Sequence, residues 1–303
     1  MRPRVLITGS SGMLGVDLCQ ELRKDYIVTG TDAVTRSPGH QVTRFWKCDV
    51  TDKKGIADII ARACPDIVIH AAAMTDVDGC ESRKKKAYAV NARGAEYVAA
   101  ACKNAGAVMA YISTDFVFDG RKKRPYTETD RPNPLSVYAY SKLKGEKAVR
   151  SILKKYFILR TSWLYGRNGK NFVDTIIAKA KAEPRLKVVS DQIGCPTYTK
   201  DLAKAIRVLL DKVTRSPGHQ VTSYGIYHVS NSGRVSWCDY AREILRLSGS
   251  KTKVMPVTSK EIAAKYPARR PAMSVLDNTK FKRFTGFKMR PWKEALKDYI
   301  TSK

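Results

Sequence analysis

Short apolar runs alternate with stretches of helical periodicity through the first half of the chain. The first run, residues 5–7, is rich in branched apolar side chains and is typical of a buried parallel strand. Leu14, Leu18 and Leu22 then recur every four residues, as on the buried face of a helix. Further apolar runs predict strands at residues 26–32, 47–50, 66–73, 107–112, 156–161 and 225–230. This alternation predicts an α/β fold with a doubly wound parallel sheet.

The regular alternation ends near residue 167. Beyond it, turns that contain proline separate the predicted helices, and this pattern favours a smaller C-terminal lobe. We predict a dinucleotide-binding domain of residues 1–166, to which a strand near 225–231 returns. Residues 167–224 and 232–303 would then form a substrate-binding lobe.

A glycine-rich turn joins the first predicted strand to the first predicted helix. Its glycines, Gly9, Gly12 and Gly15, are spaced three residues apart. In a loop that binds a dinucleotide pyrophosphate, the first glycine permits a tight turn, the second admits the ligand to the backbone, and the third lets helix and strand pack closely. The amino end of the helix then faces the anion. We therefore predict cofactor contacts from Gly9, Ser11, Gly12, Met13 and Leu14.

The second predicted strand ends in a carboxylate, Asp32. A side chain there can accept hydrogen bonds from the adenosine ribose hydroxyls, which favours NAD. Arg36 and Arg44 lie just beyond it and could instead bind a 2′-phosphate. NADH and NADPH therefore both stay open as cofactors.

The ends of the next two predicted strands complete the expected cofactor site. Asp49 and Val50 are placed to meet the adenine. Small side chains after the fourth strand would let the cofactor lie close to the backbone. These are Ala71, Ala72 and Ala73.

Tyr138 and Lys142 lie four residues apart in a segment of helical pattern. This spacing puts both side chains on one helix face, one turn apart. A phenol has a pKa of about 10, and a neighbouring cation favours its ionised form. The pair suits proton exchange with a carbonyl or alcohol oxygen. Taken alone, the spacing also fits two polar residues on a solvated face.

The composition limits the remaining functional classes. The chain has 303 residues and a formal net charge of +28, which attracts anions such as phosphorylated small molecules. No apolar run reaches the roughly 18 residues of a membrane span, and we find no signal-peptide or nucleic-acid-recognition pattern. Seven scattered cysteines suggest reduced thiols. We expect a cytoplasmic protein with a small-molecule ligand and no membrane, specific nucleic-acid or metal site.

A ten-residue segment, 34–43, recurs letter for letter at 213–222. The second copy lies between a predicted helix and a predicted strand, where a few residues would suffice. We interpret both copies as surface loops that turn at Ser-Pro-Gly.

Several of these features together resemble the extended short-chain dehydrogenase/reductases: the glycine turn, Asn91, residues 113–115, Tyr138 and Lys142. Longer stretches are more specific and are similar to the dTDP-4-dehydrorhamnose reductase family. They are residues 71–81, 113–120, 191–197 and 270–277. The resemblance covers nearly the whole chain and implies a Rossmann domain with a C-terminal substrate-binding lobe.

The resemblance implies that the protein reduces the C4 ketone of dTDP-4-dehydro-L-rhamnose with NADPH or NADH. Tyr138 would donate a proton to the carbonyl oxygen as hydride reaches the carbon. Lys142 would hold the nicotinamide ribose and lower the pKa of Tyr138. The Thr114 hydroxyl would orient the carbonyl and stabilise the developing oxyanion. These residues form the expected catalytic set.

The same resemblance assigns residues to the sugar nucleotide. Trp163 matches a family tryptophan that packs on the sugar, with core packing as the alternative. Phe116 stands where the family usually has tyrosine, which removes one sugar hydrogen bond of about 0.5–1.5 kcal/mol. Arg270 is an expected ligand of the pyrophosphate, and Arg269 is the alternative for this role. The other expected contacts are Thr75, Val77, Asn171 and Gln192.

Two other functions stay open. A sugar-nucleotide epimerase or dehydratase of the same superfamily would recycle its cofactor without net consumption. A non-catalytic regulatory subunit of methionine adenosyltransferase would use the same fold to bind a partner. The chain could act as a monomer or a homodimer, and Mg²⁺ is possible although no carboxylate cluster indicates it.

Overall fold

A parallel sheet lies at the centre of the protein, whose computed structural model describes residues 2–34, 42–214, 223–264 and 266–302. Within these residues the sheet has seven strands. They are β1 (Arg4–Thr8), β2 (Ile27–Asp32), β3 (Arg44–Lys47), β4 (Ile67–His70), β5 (Val108–Thr114), β6 (Tyr156–Thr161) and β11 (Gly225–His228). Their order is β11-β6-β5-β4-β1-β2-β3, so successive strands are added to one side of β1 and then, from β4 onward, to its other side. Ligands of such sheets bind beyond the carboxyl ends of the strands at this switch point.

Helices cover both faces of the sheet, as the alternating pattern predicts. One face carries α1 (Met13–Leu22), α8 (Thr199–Thr214) and α10 (Thr279–Thr285). The other face carries α2 (Lys53–Ala63), α5 (Gly94–Ala105) and α6 (Val137–Ile152). Leu14, Leu18 and Leu22 are all buried under α1. The doubly wound fold is therefore confirmed.

The connection from β4 to α5 is helical but irregular. It contains α3 (Val77–Ser82), α4 (Lys84–Tyr88) and a π-helical turn at Ala89–Arg93. Asn91 lies in this turn and is fully buried. Such turns occur frequently at functional sites.

Most of the predicted strands lie where the apolar runs indicate. The strand at residues 225–230 forms β11, which pairs in parallel with β6. The third strand is displaced, because β3 ends at Lys47 and residues 48–50 leave the sheet. Asp49 stabilises this turn, because its Oδ1 accepts hydrogen bonds from the amide and the hydroxyl of Thr51. Residues 35–41 and 215–222, most of the repeated segment, lie outside the described residues.

The chain beyond residue 163 builds a third core away from the central sheet. Aromatic side chains dominate this core, among them Tyr165, Tyr198, Tyr240, Trp292 and Tyr299. Its helices are α7 (Phe172–Ala180), α9 (Trp237–Leu247) and α11 (Trp292–Thr301). Its short strands are β7 (Leu164–Tyr165), β8 (Arg185–Val189), β9 (Ile193–Gly194), β10 (Thr197–Tyr198), β12 (Val235–Ser236) and β13 (Lys253–Val257). They pair as β7 with β10, β8 with β13, and β9 with β12.

None of the helices in the described ranges has the length and apolar character needed to span a bilayer. The seven cysteines all lie in these ranges and are unpaired.

Candidate active site

The glycine turn lies at the switch point, between the carboxyl ends of β1 and β4. Gly9 has a φ of +72°, and a Cβ there would lie 2.6 Å from the amide nitrogen of Ala72. A Cβ at Gly15 would lie 2.1 Å from the carbonyl oxygen of Gly9. Gly12 precedes α1, with Met13 and Leu14 in the first turn. Backbone packed this closely at a helix amino end fits a dinucleotide pyrophosphate.

Asp32 ends β2 beside this turn. Its Oδ2 accepts a hydrogen bond from the amide of Ser11 at 3.0 Å, and its Oδ1 accepts one from the amide of Val34 at 3.3 Å. The carboxylate therefore orders the glycine turn, and it keeps acceptor capacity for ribose hydroxyls.

The far end of the predicted cofactor site is more open. Asp49 is exposed, whereas Val50 is buried against Gly94. Arg44, considered for a 2′-phosphate, lies over the ring of Trp46 with 5.4 Å between guanidinium and ring centre. Arg36 lies outside the described residues.

Helix α6, which carries Tyr138 and Lys142, is anchored at its amino end by two side chains. The Ser136 hydroxyl accepts a hydrogen bond from the amide of Ala139, and Glu81 accepts one from the amide of Val137 at 2.8 Å. Tyr138 therefore lies in a fixed first turn. Asn91 supports the next turn, because its Nδ2 donates to the Ser141 hydroxyl at 2.9 Å.

Lys142 is 3% exposed and points into the sheet. Its Nζ donates to the carbonyl oxygen of Ile112 at 2.7 Å and lies 4.2 Å from the ring centre of Tyr111. Burial lowers the pKa of Lys142 to about 7, against the opposing charge of Glu146. A group with this pKa exchanges protons readily near neutral pH.

Tyr138 meets Thr114 across the site, and a hydrogen bond joins their hydroxyls. Burial raises the pKa of Tyr138, and the Thr114 hydrogen bond opposes this effect only in part. The expectation that Lys142 lowers the pKa of Tyr138 is therefore wrong for this structure, because burial dominates. The phenol stays protonated at neutral pH, as a proton donor must.

The predicted sugar-binding side chains differ in position and in solvent exposure. Phe116 lies edge-on to Tyr138, with ring centres 6.2 Å apart, so its apolar ring borders the proton donor. Thr75 is exposed after β4, and Val77 is partly exposed in the first turn of α3. Thr75, Val77 and Phe116 therefore share the carboxyl edge of the sheet with Tyr138.

Trp163 is packed against neighbouring side chains and keeps part of its surface exposed. Its φ of +47° is left-handed, which is strained for so large a side chain. The indole stacks on Trp237 with ring centres 3.5 Å apart and planes at 7°. A Cβ at Gly194 would lie 2.4 Å from Trp163 Cε2, so only glycine fits beside the ring. Trp163 is thus packed against its neighbours in a strained conformation and is also partly exposed.

Asn171 and Gln192, both predicted to bind the nucleotide, form hydrogen bonds within the protein itself. Asn171 caps α7 through the amide of Asp174, and its Nδ2 donates to the carbonyl oxygen of Gly166 at 2.8 Å. The prediction that Asn171 binds nucleotide conflicts with this use, because its amide is consumed within the lobe. Gln192 Nε2 donates to the Ser259 hydroxyl at 2.9 Å.

Arg270 forms an ion pair that no local sequence pattern indicates. Its Nη2 lies 2.5 Å from Asp78 Oδ2 in α3, and its Nη1 donates to the carbonyl oxygen of Ala268. Asp78 also accepts a hydrogen bond from the amide of Ala268. This contact fastens the segment after β13 to the first turn of α3, which follows Thr75 and contains Val77.

Sequence reasoning missed four residues that shape this site: Asp78, Glu81, Asp115 and Trp237. The first three lie inside the stretches that carry the resemblance. Asp78 directly follows Val77 and Asp115 directly follows Thr114, and this adjacency was an available signal. Within the described ranges no group of three His, Cys, Asp or Glu side chains is arranged as metal ligands.

Comparisons with known proteins agree with this geometry. Residues 2–303 match the family described as RmlD substrate binding domain. The chain is 40% identical over 299 residues to the spore coat polysaccharide biosynthesis protein SpsK of Bacillus subtilis, covering 98% of this chain and 96% of that one. It is 38% identical to the dTDP-4-dehydrorhamnose reductase of Aggregatibacter actinomycetemcomitans, covering 97% of each. The crystal structure of dTDP-4-dehydrorhamnose reductase from Bacillus anthracis in complex with NADP superposes with a TM-score of 0.88, at 37% identity and full coverage of both chains.

Proposed function

Because the chain belongs to the RmlD substrate binding domain family, we propose that it reduces the C4 ketone of dTDP-4-dehydro-L-rhamnose to give dTDP-L-rhamnose, with NADPH or NADH. One observation carries this proposal: the hydroxyls of Tyr138 and Thr114 meet at the sheet edge that also holds the glycine turn. A ketone at this point would face a proton donor next to the predicted dinucleotide site.

Each member of the proposed catalytic set has a distinct role. Tyr138 holds the proton that passes to the ketone oxygen, since burial keeps the phenol neutral. Thr114 orients that oxygen. Lys142 reaches from the same helix face as Tyr138 and holds the nicotinamide ribose. Bound reduced nicotinamide supplies the hydride.

We further propose that residues 1–166 together with β11 bind the dinucleotide, and that residues 167–224 and 232–303 bind the sugar nucleotide. The separate aromatic core built by α7, α9 and α11 supports this division, although α8 and α10 pack on the central sheet. We also propose a cytoplasmic location, because unpaired buried thiols suit a reducing compartment.

The test is spectrophotometric. Reduced nicotinamide should be consumed when a panel of dTDP-4-keto sugars is supplied, and not when the sugar is omitted. An epimerase or dehydratase would convert sugar without net consumption of cofactor. Absence of turnover with both NADH and NADPH, together with recovery of a stoichiometric synthetase partner from a pull-down, would favour the regulatory-subunit alternative.

Arg270→Ala is expected to raise KM for the dTDP-sugar about 10- to 100-fold, with KM for the reduced nicotinamide unchanged. The reason is that a guanidinium binds phosphate oxygens in bidentate fashion, and a hydrogen bond to a charged group contributes about 1.5–3 kcal/mol. Steady-state kinetics against each substrate checks this.

Asp78→Ala is the matched control, because it removes the other half of the same ion pair. If Arg270 binds pyrophosphate, Asp78→Ala keeps the Arg270 guanidinium that holds the phosphate and has the smaller effect on KM for the dTDP-sugar. Equal effects from the two substitutions would mean that Arg270 only fastens the segment after β13.

A further inference from the structure

Asp115 is a buried carboxyl group directly beside the proposed catalytic set. It follows Thr114 at the end of β5 and is 2% exposed. Its Oδ1 accepts a hydrogen bond from the Thr114 hydroxyl at 3.1 Å. Its Oδ2 is buried and meets no partner in hydrogen-bonding geometry among the described residues. The Thr114 and Ser274 hydroxyls replace only part of the hydration that this carboxylate loses on burial, so the site favours the protonated form.

The Thr114 hydroxyl has one hydrogen to donate and two lone pairs. The amide of Phe116 donates to its oxygen at 3.2 Å. While its own hydrogen goes to Asp115, the hydroxyl cannot also donate to Tyr138 or to a ketone oxygen. Stabilising a developing oxyanion requires a donor at this point. The proposed role of Thr114 therefore depends on Asp115 releasing that hydrogen.

We propose that Asp115 is a positioning residue that sets the direction of the Thr114 hydroxyl. With a proton on Asp115, the carboxyl O–H donates to Thr114 Oγ1, and the Thr114 hydrogen turns toward Tyr138 and the ketone oxygen. When Asp115 loses its proton, the Thr114 hydrogen returns to the carboxylate. The inference rests on the proposed reduction and adds control by pH to the same site.

The electrostatics of the pocket place this change near neutral pH. Burial raises the pKa of Asp115 to about 7, and the Ser274 and Thr114 hydroxyls offset it only in part. Among the described titratable groups, Tyr138 of α6 and Cys195, between β9 and β10, feel its charge. Burial raises the pKa of both, so both stay neutral when Asp115 titrates.

Asp115→Asn tests the proposal, because asparagine is neutral at every pH and its amide can donate to Thr114. We would measure kcat/KM for Asp115→Asn and for the wild type from about pH 5 to about pH 9. The ratio of variant to wild type should be near one at the acid end and rise about 10²-fold at the alkaline end. Lys142, whose pKa burial lowers to about 7, titrates in both proteins and cancels in the ratio. A ratio that stays constant with pH overturns the proposal.

Asp119→Asn is the control, since Asp119 lies four residues along the chain and bonds Tyr126 and Asn133 instead. The ratio of kcat/KM for Asp119→Asn to that of the wild type should stay constant with pH.

An infrared measurement needs no turnover. The difference between wild-type and Asp115→Asn spectra should show a protonated carboxyl band that is lost as pH rises through about 7. A wild type without turnover at any pH would refute the proposed reduction, whereas a band that is absent or unchanged with pH would refute the role of Asp115.

Discussion

Tyr138→Phe is expected to lower kcat about 10²- to 10⁴-fold while the protein still binds reduced nicotinamide. Phenylalanine keeps the ring that lies edge-on to Phe116 and removes only the hydroxyl that meets Thr114. The ketone oxygen then has no positioned proton donor. Turnover is measured from nicotinamide absorbance, and cofactor binding from a fluorescence titration.

Tyr140→Phe provides the control for this substitution. Tyr140 lies on the same helix and is 47% exposed, so the same change there removes a hydroxyl that solvent already reaches. Its kcat should equal that of the wild type. If Tyr138→Phe lost cofactor binding along with turnover, Tyr138 would be structural and the proposed chemistry would be wrong.

Local patterns predicted the frame of this site. The apolar runs locate the strands because buried parallel strands need continuous apolar side chains. The spacing of Tyr138 and Lys142 places both on one face of α6, and the spacing of the glycines matches the tight packing of Gly9 and Gly15. Each of these features depends on residues close together in the sequence.

Contacts between segments that are distant in the sequence could not be predicted from local patterns. Arg270 and Asp78 are 192 residues apart, and no local pattern joins them. The raised pKa of Tyr138 depends on burial by several segments rather than on its neighbour Lys142. Asn171 is different, because an asparagine followed three residues later by Asp174 is a helix-start pattern. Its structural role was therefore predictable.

Glu146→Gln is expected to lower the free energy of unfolding by about 3–5 kcal/mol. Glu146 and Arg160 are each about 1% exposed, and the guanidinium bonds both carboxylate oxygens, at 2.9 and 2.7 Å. The Ser113 hydroxyl donates to the same carboxylate at 2.6 Å. Removing the negative charge leaves Arg160 charged, buried and uncompensated. Denaturant unfolding of variant and wild type measures the difference.

Glu243→Gln is the matched control, because Glu243 forms the same two-bond contact with Arg246 at the surface. The Arg246 side chain is 67% exposed, so water replaces the lost contact and stability should change little. Equal destabilisation by the two substitutions would mean that burial of the Glu146 pair is unimportant. The pair also fastens α6 to β6, two turns from Tyr138. We therefore expect Glu146→Gln to lower kcat in the fraction that remains folded, whereas Glu243→Gln leaves kcat unchanged.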